Sequence, residues 1–192
     1  MMRFMRILLF LVAAISAYCS SPIEAKAGYF FFLNPTMQKI YDGDGIDLQL
    51  SGSYPIRRDL HFYASLEYLE KFGHSLNGGQ ATHLQVAPIS IGLKPIYPLT
   101  RFTDFYLTAG PRYFIVRVHN DSPYVDNDLR SDGWGGFANI GFLSELYRGL
   151  TINLFSEWSY GKVLFNSTIP NVEVTNIQLT GITFGGGLGY TF

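Results

Sequence analysis

The sequence carries little charge, one cysteine and no long apolar run outside its first residues. Charged residues are 15% of the 192-residue chain, below the roughly 25% of soluble domains. The net charge is −1, and the densest basic cluster is Arg57 and Arg58, which argues against a nucleic-acid-binding protein. After Gly28 no stretch reaches the roughly 18 apolar residues of a membrane-spanning helix. These absences exclude a helical membrane domain after Gly28.

The first residues have the features of an export signal. Arg3 and Arg6 precede an apolar run over Ile7–Ala17, which is too short to span a bilayer as a helix. "AKA" at residues 25–27 then gives the small residues of a signal-peptidase site. The sequence therefore predicts a cleaved signal peptide over residues 1–27 and export through the Sec pathway.

Two alternatives to this cleavage remain open, an uncleaved anchor and lipoprotein processing at Cys19. The second fits poorly because Tyr18 stands where a small residue is required. Cleavage after Ala27 would remove Cys19, the only cysteine. The exported chain would then have no disulfide and would need another source of stability.

Alternation of apolar and polar residues dominates the rest of the chain. It is clear in "LHFYASLEYLEK" from Leu60 and in "LTINLFSEWSYG" from Leu150. A period of two indicates strands with two different environments. These segments are longer than usual soluble strands and match the roughly 9–11 residues of a tilted membrane-spanning strand.

Short turns alternate with long polar loops between the predicted strands. Pro55–Asp59 and Tyr147–Gly149 are short, whereas Phe72–Thr82, His119–Gly133 and Asn166–Thr175 are long. This alternation is typical of outer-membrane barrels, which have an even number of strands. Eight strands are predicted: 28–34, 46–54, 60–71, 82–93, 104–118, 133–146, 150–165 and 176–192.

The apolar phase slips by one residue in two of these strands. One slip falls at Ala87–Pro88 and the other between Arg112 and Arg117. Proline cannot donate to the hydrogen-bond ladder, so we expect a β-bulge at the first slip and a similar irregularity at the second.

The chain ends on "GLGYTF", which places Phe192, Tyr190 and Leu188 on one face of the last strand. This ending resembles the C-terminal signal that the barrel-assembly machinery reads in bacterial outer-membrane barrels. Together with the export signal and strand count, it makes the chain similar to the small OmpA/OmpX-type family. The resemblance implies an all-β, eight-stranded antiparallel up-and-down transmembrane barrel over residues 28–192, in contact with outer-membrane lipids and lipopolysaccharide.

The interior of an eight-stranded barrel is just wide enough to be filled by side chains. Glu67, Arg112, Glu145 and Glu157 fall on inward positions. Because buried charges are paired, we expect these residues to form a network that plugs the lumen. A narrow ion path is the alternative.

Three further hypotheses are weaker. A lipid-modifying enzyme would use His74 and Ser75, but adjacent residues on a strand point to opposite faces. Calcium-like spacing at Asp42–Gly45 and Asp126–Gly133 is interrupted in the second by Arg130. A soluble lipocalin-like barrel shares the alternation, but aromatic residues at strand ends suit a membrane better. The sequence predicts no catalytic residue, metal or cofactor, and a structural or surface-contact role with a possible extracellular ligand at the loops.

Deletion of Phe192 should impair assembly into the outer membrane more than deletion of the loop residue Asn127, because the terminal residue belongs to the assembly signal. Membrane fractionation with immunoblotting measures the folded amount of each variant. Equal assembly of the two variants would contradict the assignment of this signal.

Overall fold

The structure is a computed structural model that describes residues 22–41, 45–74, 79–120, 128–165 and 175–191. Its elements follow one another along the chain with short connections at one end of the molecule. They are β1 (Pro22–Phe32), α1 (Pro35–Ile40), β2 (Asp47–Arg57), β3 (Leu60–His74), β4 (Ala81–Pro98), β5 (Thr103–Asn120), β6 (Asp128–Tyr147), β7 (Leu150–Phe165), β8 (Thr175–Gln178) and β9 (Gly181–Thr191).

The strands form a closed antiparallel barrel. Each strand from β1 to β7 pairs with the next, and β9 pairs with both β7 and β1. Among the described residues, the short strand β8 pairs with Lys162–Phe165 at the end of β7. It precedes β9 at the same position of the ring, which therefore has eight strands. The predicted all-β, eight-stranded antiparallel barrel is confirmed. Within the described ranges no helix is long and apolar enough to cross a membrane.

Strand β1 begins at Pro22, six residues before the predicted first strand at Gly28, and cleavage after Ala27 stays a prediction. Pro22–Ala27 pairs with the last residues of β9, and Ile23–Ala27 provides all but one of the pairs between β1 and β2. Without these residues the end of β9 would lose its β1 partner and the barrel would be open there. The alternation alone does not reveal this start, because the "AKA" pattern within it also matches a signal-peptidase site.

The two predicted bulges are absent from the registers of β4 and β5. Ala87 pairs with Ile115 and Pro88 with Phe114, in the same register as the pairs on either side. The pairing of β5 with β6 is likewise regular from Thr103 to His119. Because the backbone is regular, the slip in the apolar phase needs another explanation.

The explanation is a change in the polarity of the interior along each strand. In β4, Leu84 and Val86 point inward at the long-loop end, while Ser90 and Lys94 point inward nearer the short turns. The outward side chains change in the opposite sense, from polar His83 and Gln85 to apolar Ile89, Ile91 and Leu93. The apolar residues move from the inner face to the outer face, although successive side chains continue to alternate between the two faces without a break.

The barrel thus has two parts, which we call the head and the membrane part. The head, at the long-loop end, has an apolar core that includes Phe30, Leu84, Phe114 and Val163. The membrane part has a polar lumen and an apolar outer surface. Its outward apolar stretches run from Ile89 to Tyr97 in β4, Phe105 to Ile115 in β5, Trp134 to Phe142 in β6 and Leu150 to Tyr160 in β7. Their lengths fit tilted strands that cross a bilayer, and so large an apolar surface is not stable in water.

Helix α1 covers the head where β1 ends early. The Asn34 side chain caps the helix by accepting hydrogen bonds from the backbone N–H groups of Thr36 and Met37. Its side-chain nitrogen donates to Gln178 Oε1 of β8 at 3.0 Å. Met37 is buried in the apolar core. The helix thereby connects β1 with β8, which pairs only with β7.

The last strand has the predicted two faces. Leu188 and Tyr190 are exposed on the outer surface, and Thr183 is buried in the lumen. Gly187 lies where an added Cβ would be 2.6 Å from the Ala25 carbonyl oxygen, so only glycine allows β9 to approach β1 this closely. Phe192, the last residue of the predicted assembly signal, lies outside the described residues.

The exported protein should retain Pro22, because β1 and the closure of the barrel depend on Pro22–Ala27. Mass spectrometry of the protein purified from membranes, with N-terminal sequencing, measures the first residue. We expect processing at or before Ser21. A mature chain that begins at Gly28 and still forms a barrel would contradict this start of β1.

Candidate functional site in the lumen

Charged and polar side chains point into the lumen of the membrane part. They reach it because alternate residues of every strand point inward, and at this depth those positions are occupied by polar residues. Their side chains are almost completely buried, so each charge needs a partner inside the barrel. The ionisable members are Glu24, Lys26, Asp47, Glu67, Lys94, Arg112 and Glu157.

Arg112 is the centre of the first of two clusters. It is 1% exposed, and its Nη2 atom lies 2.5 Å from Glu157 Oε1 and 3.0 Å from Glu67 Oε2. Its Nε donates to Ser90 Oγ at 2.7 Å, and its guanidinium lies 4.8 Å from the centre of the Phe137 ring. One cation thus links carboxylates from β3 and β7 across the lumen.

Amide side chains complete the coordination of these carboxylates. Glu157 Oε2 accepts hydrogen bonds from Asn139 Nδ2 at 3.0 Å and from Gln49 Nε2 at 3.3 Å. A further carboxylate, Asp47, accepts from Thr183 Oγ1 at 2.7 Å. Hydrogen bonds of this kind offset the cost of removing the charges from water.

Glu24 is the centre of the second cluster, nearer the short turns. Its Oε1 lies 2.6 Å from Lys94 Nζ, and its Oε2 lies 3.3 Å from Lys26 Nζ. Asn153 Nδ2 donates to the same carboxylate and in turn accepts from the Tyr106 hydroxyl at 2.9 Å. One carboxylate is therefore shared between two lysines.

Aromatic rings lie between the two clusters. Lys26 Nζ is 5.5 Å from the centre of the Tyr63 ring, which is 5.8 Å from the Phe137 ring beside Arg112. The faces of such rings attract cations. The two clusters and these rings occupy the lumen at successive levels.

The structure brings together three of the four predicted lumen residues, Glu67, Arg112 and Glu157. Glu145 is the exception, and its assignment to the network is wrong. It is exposed at the β6–β7 turn, where its carboxylate accepts a hydrogen bond from the Gly149 N–H at 3.2 Å. By its position in the alternation Glu145 belongs to the inward face of β6, but at the rim of the barrel an inward side chain reaches water.

Sequence reasoning missed the second cluster. The predicted signal peptide includes Glu24 and Lys26, and Lys94 lies between the strands predicted at 82–93 and 104–118. The alternation of "PIEAKAGYFFF" indicates that these two residues belong to the first strand, since Glu24 and Lys26 share a face with Phe30 and Phe32. A charged pair in this phase next to an inward aromatic pair predicts a continuous strand from Pro22.

The described residues give little support to the enzyme site or to the calcium sites considered from the sequence. His74 is exposed at the end of β3, and Ser75 lies outside the described residues. Asp42 and Asp126 of the two calcium-like segments also lie outside them. Among the residues that the structure describes, no group of three or more His, Cys, Asp or Glu could hold a metal.

A separate polar cluster, outside the lumen, lies on the outer wall of the head. His83 Nε2 is 2.5 Å from Glu70 Oε1, and Asp128 Oδ1 is 3.2 Å from His119 Nδ1 and 3.3 Å from Arg117 Nη2. The hydrogen bond from His119, supported by Arg117, lowers the pKa of Asp128. A shallow cleft of about 180 Å³ lies between these strands. All of its partners are solvated, so the cluster contributes little to stability.

Replacement of Arg112 by methionine should lower the free energy of unfolding by about 3–5 kcal/mol, because Glu67 and Glu157 would remain buried without their cation. Urea unfolding of the protein in lipid vesicles measures the change. Exposed Arg117 provides the control, and R117M should cost no more than about 1 kcal/mol. The R112M/E67Q/E157Q variant should recover part of the loss. Equal effects of R112M and R117M would contradict the role of the cluster in stability.

Solved structures with the same fold are found, although comparison with protein families and with curated proteins gives no match. Neisserial surface protein A has a TM-score of 0.61 at 15% identity, over 90% of this chain and 97% of that one. Outer membrane protein W of E. coli has a TM-score of 0.59 at 15% identity, over 91% and 100%.

A third structure is Ail, the attachment invasion locus protein of Yersinia pestis, in complex with the heparin analogue sucrose octasulfate. It has a TM-score of 0.50 at 11% identity, over 89% of this chain and 97% of that one. The predicted architecture is thus the one found in these barrels. The chain has the eight-stranded β-barrel fold of small bacterial outer-membrane proteins.

Proposed function

We propose that this protein is an integral outer-membrane barrel that acts through contacts made at its head, with no transport through its lumen and no catalysis. The signal sequence and the C-terminal "GLGYTF" support export through the Sec pathway and insertion by the barrel-assembly machinery. The apolar outer surface of the membrane part contacts outer-membrane lipids, and the head projects towards lipopolysaccharide and the exterior.

The observation that carries this proposal is the set of buried ion pairs in the lumen. The Arg112 and Glu24 clusters form ion pairs across the interior, and the side chains of Arg112, Glu157, Glu24 and Lys94 are at most 2% exposed. Above them the head has an apolar core. An ion would have to break paired charges and then cross this core, which makes the narrow pore the weaker hypothesis.

A role at the outer surface is then the function that the geometry favours. The long-loop end carries the exposed charged side chains of the outer wall, including Arg117, Asp128 and Arg130. Among the barrels of this fold, Ail is an attachment invasion locus protein and was solved with a heparin analogue. That example supports an adhesive or ligand-binding role here, with the ligand unassigned.

Planar-bilayer recording tests the closed lumen. We expect no discrete conductance from the wild-type protein in salt solution. R112M provides a matched variant, because it removes the cation that links the two walls and should increase any leak. Discrete wild-type conductance that changes on E67Q substitution would replace this proposal with a small pore.

Labelling on intact cells tests the topology and location. A tag inserted in the 121–127 loop should be labelled from outside, and one inserted in the β6–β7 turn should be labelled only after the cells are opened. Gel migration with and without boiling shows whether the extracted protein is a closed barrel. A soluble periplasmic protein with no heat-dependent shift would favour a lipocalin-like binder instead.

Lipid analysis separates this proposal from the enzyme hypothesis. Under the surface-contact proposal, cells with His74→Ala should have the same lipid A and phospholipid profiles as cells with the wild-type protein. A product that depends on both the protein and His74 would establish a lipid-modifying activity.

A further inference from the structure

The short-turn end of the barrel carries an arginine at every hairpin. Arg57 and Arg58 lie at the β2–β3 turn, Arg101 at the β4–β5 turn and Arg148 at the β6–β7 turn. All four side chains are exposed.

None of these four arginines forms an ion pair with any described residue, although carboxylates are near. Asp59 follows Arg58 on the β2–β3 turn, Asp104 is the second residue of β5, and the Glu145 carboxylate accepts from the Gly149 N–H. The other end contrasts with this, since Arg117 pairs with Asp128 at 3.3 Å. The turn arginines therefore keep their guanidinium groups available for an anion from outside the protein.

Large apolar side chains accompany the arginines at each turn. Phe102 is 63% exposed and Tyr147 is 64% exposed. Arg101 Cζ lies 5.8 Å from the Phe102 ring centre, and Arg148 Cζ lies 5.0 Å from that of Tyr147. Ile56, Leu99 and Leu146 are also among the exposed apolar residues of this end. Such residues beside cations are typical of the interface between hydrocarbon and headgroups.

Arg148 occupies a backbone position that disfavours it. Its φ is 40° and that of Gly149 is 83°. Two-residue hairpins with both central φ values positive strongly prefer Asn-Gly. An arginine there is strained, and an observed strain of this kind is a reason to look for a function.

We propose that these turns form a binding surface for the phosphate groups of anionic phospholipids in the inner leaflet of the outer membrane. The apolar neighbours enter the headgroup region, and the unpaired guanidinium groups each donate to a phosphate oxygen at that depth. Arginine suits this role because its planar fork matches phosphate geometry. The surface holds the turn end at a fixed depth. This inference rests on the proposed insertion in the outer membrane.

Site-specific photo-crosslinking tests the surface. A photo-reactive amino acid replaces Leu99 in the mature protein, which is folded in vesicles containing radiolabelled phosphatidylglycerol or phosphatidylcholine. We expect the crosslinking ratio of phosphatidylglycerol to phosphatidylcholine to exceed one. It should fall several-fold in the R57Q/R58Q/R101Q/R148N variant, and high salt should lower it in the wild type.

Two controls locate the effect. The same photo-reactive group at Trp134, on the outer surface nearer the head, should give a ratio that the turn variant leaves unchanged. The R117Q/R130Q variant removes two exposed arginines from the head and should leave the ratio at Leu99 unchanged. A Leu99 ratio that is the same in the wild type and the turn variant would overturn the inference.

The single variant R148N separates binding from folding. Asparagine tolerates this backbone conformation better than arginine, so R148N should unfold at the same or a higher urea concentration while lowering the Leu99 ratio. A ratio unchanged by R148N and by the fourfold variant would count against the proposal. A wild-type protein that fails to form a heat-sensitive barrel in vesicles would instead contradict the proposed function.

Discussion

Closure of the ring is the constraint on which the rest of the structure depends. A strand inside a bilayer has no water to satisfy its backbone N–H and C=O groups, so each edge must pair with another strand. Here the closing pair is β1 with β9, and half of the contact is made by Pro22–Ala27. These residues also bring Glu24 and Lys26 into the lumen. Backbone closure and the second charged cluster therefore have the same origin.

The same strands cross two environments with one side-chain period. In the membrane part the outer surface faces lipid, so the polar residues are inside and must pair with one another. In the head the outer surface faces water, so the apolar residues return to the inside and form an ordinary core. The change takes place within single strands, between Ser90 and Val86 in β4 and between Arg112 and Phe114 in β5. On one side of this level the barrel interior contains paired charges, and on the other side it contains packed apolar side chains.

Much of this architecture could be predicted from the sequence, since alternation, turn lengths and the terminal strand gave the strand number and the faces of β9. The errors have definite physical causes. The interior changes from polar to apolar at Ala87–Pro88. The alternation shows only that the two faces of a strand differ, so the sequence alone makes this change look like a β-bulge. Glu145 has an inward phase, but phase does not give depth, and at the rim a side chain reaches water. The ion pair of Glu24 with Lys94 could not be predicted, because the two residues are distant in the sequence.

The head determines how far the barrel extends beyond its apolar outer surface. In β5 the chain continues from Ile115, the last residue of the apolar outer stretch, to Asn120, where the strand ends. At roughly 3.3 Å per residue and a strand tilt of about 40°, this continuation raises the end of the strand by roughly 13 Å. The end of β5 is thus held above the apolar outer surface by a packed support. A partner that could not approach that surface would still reach the exposed side chains at this level.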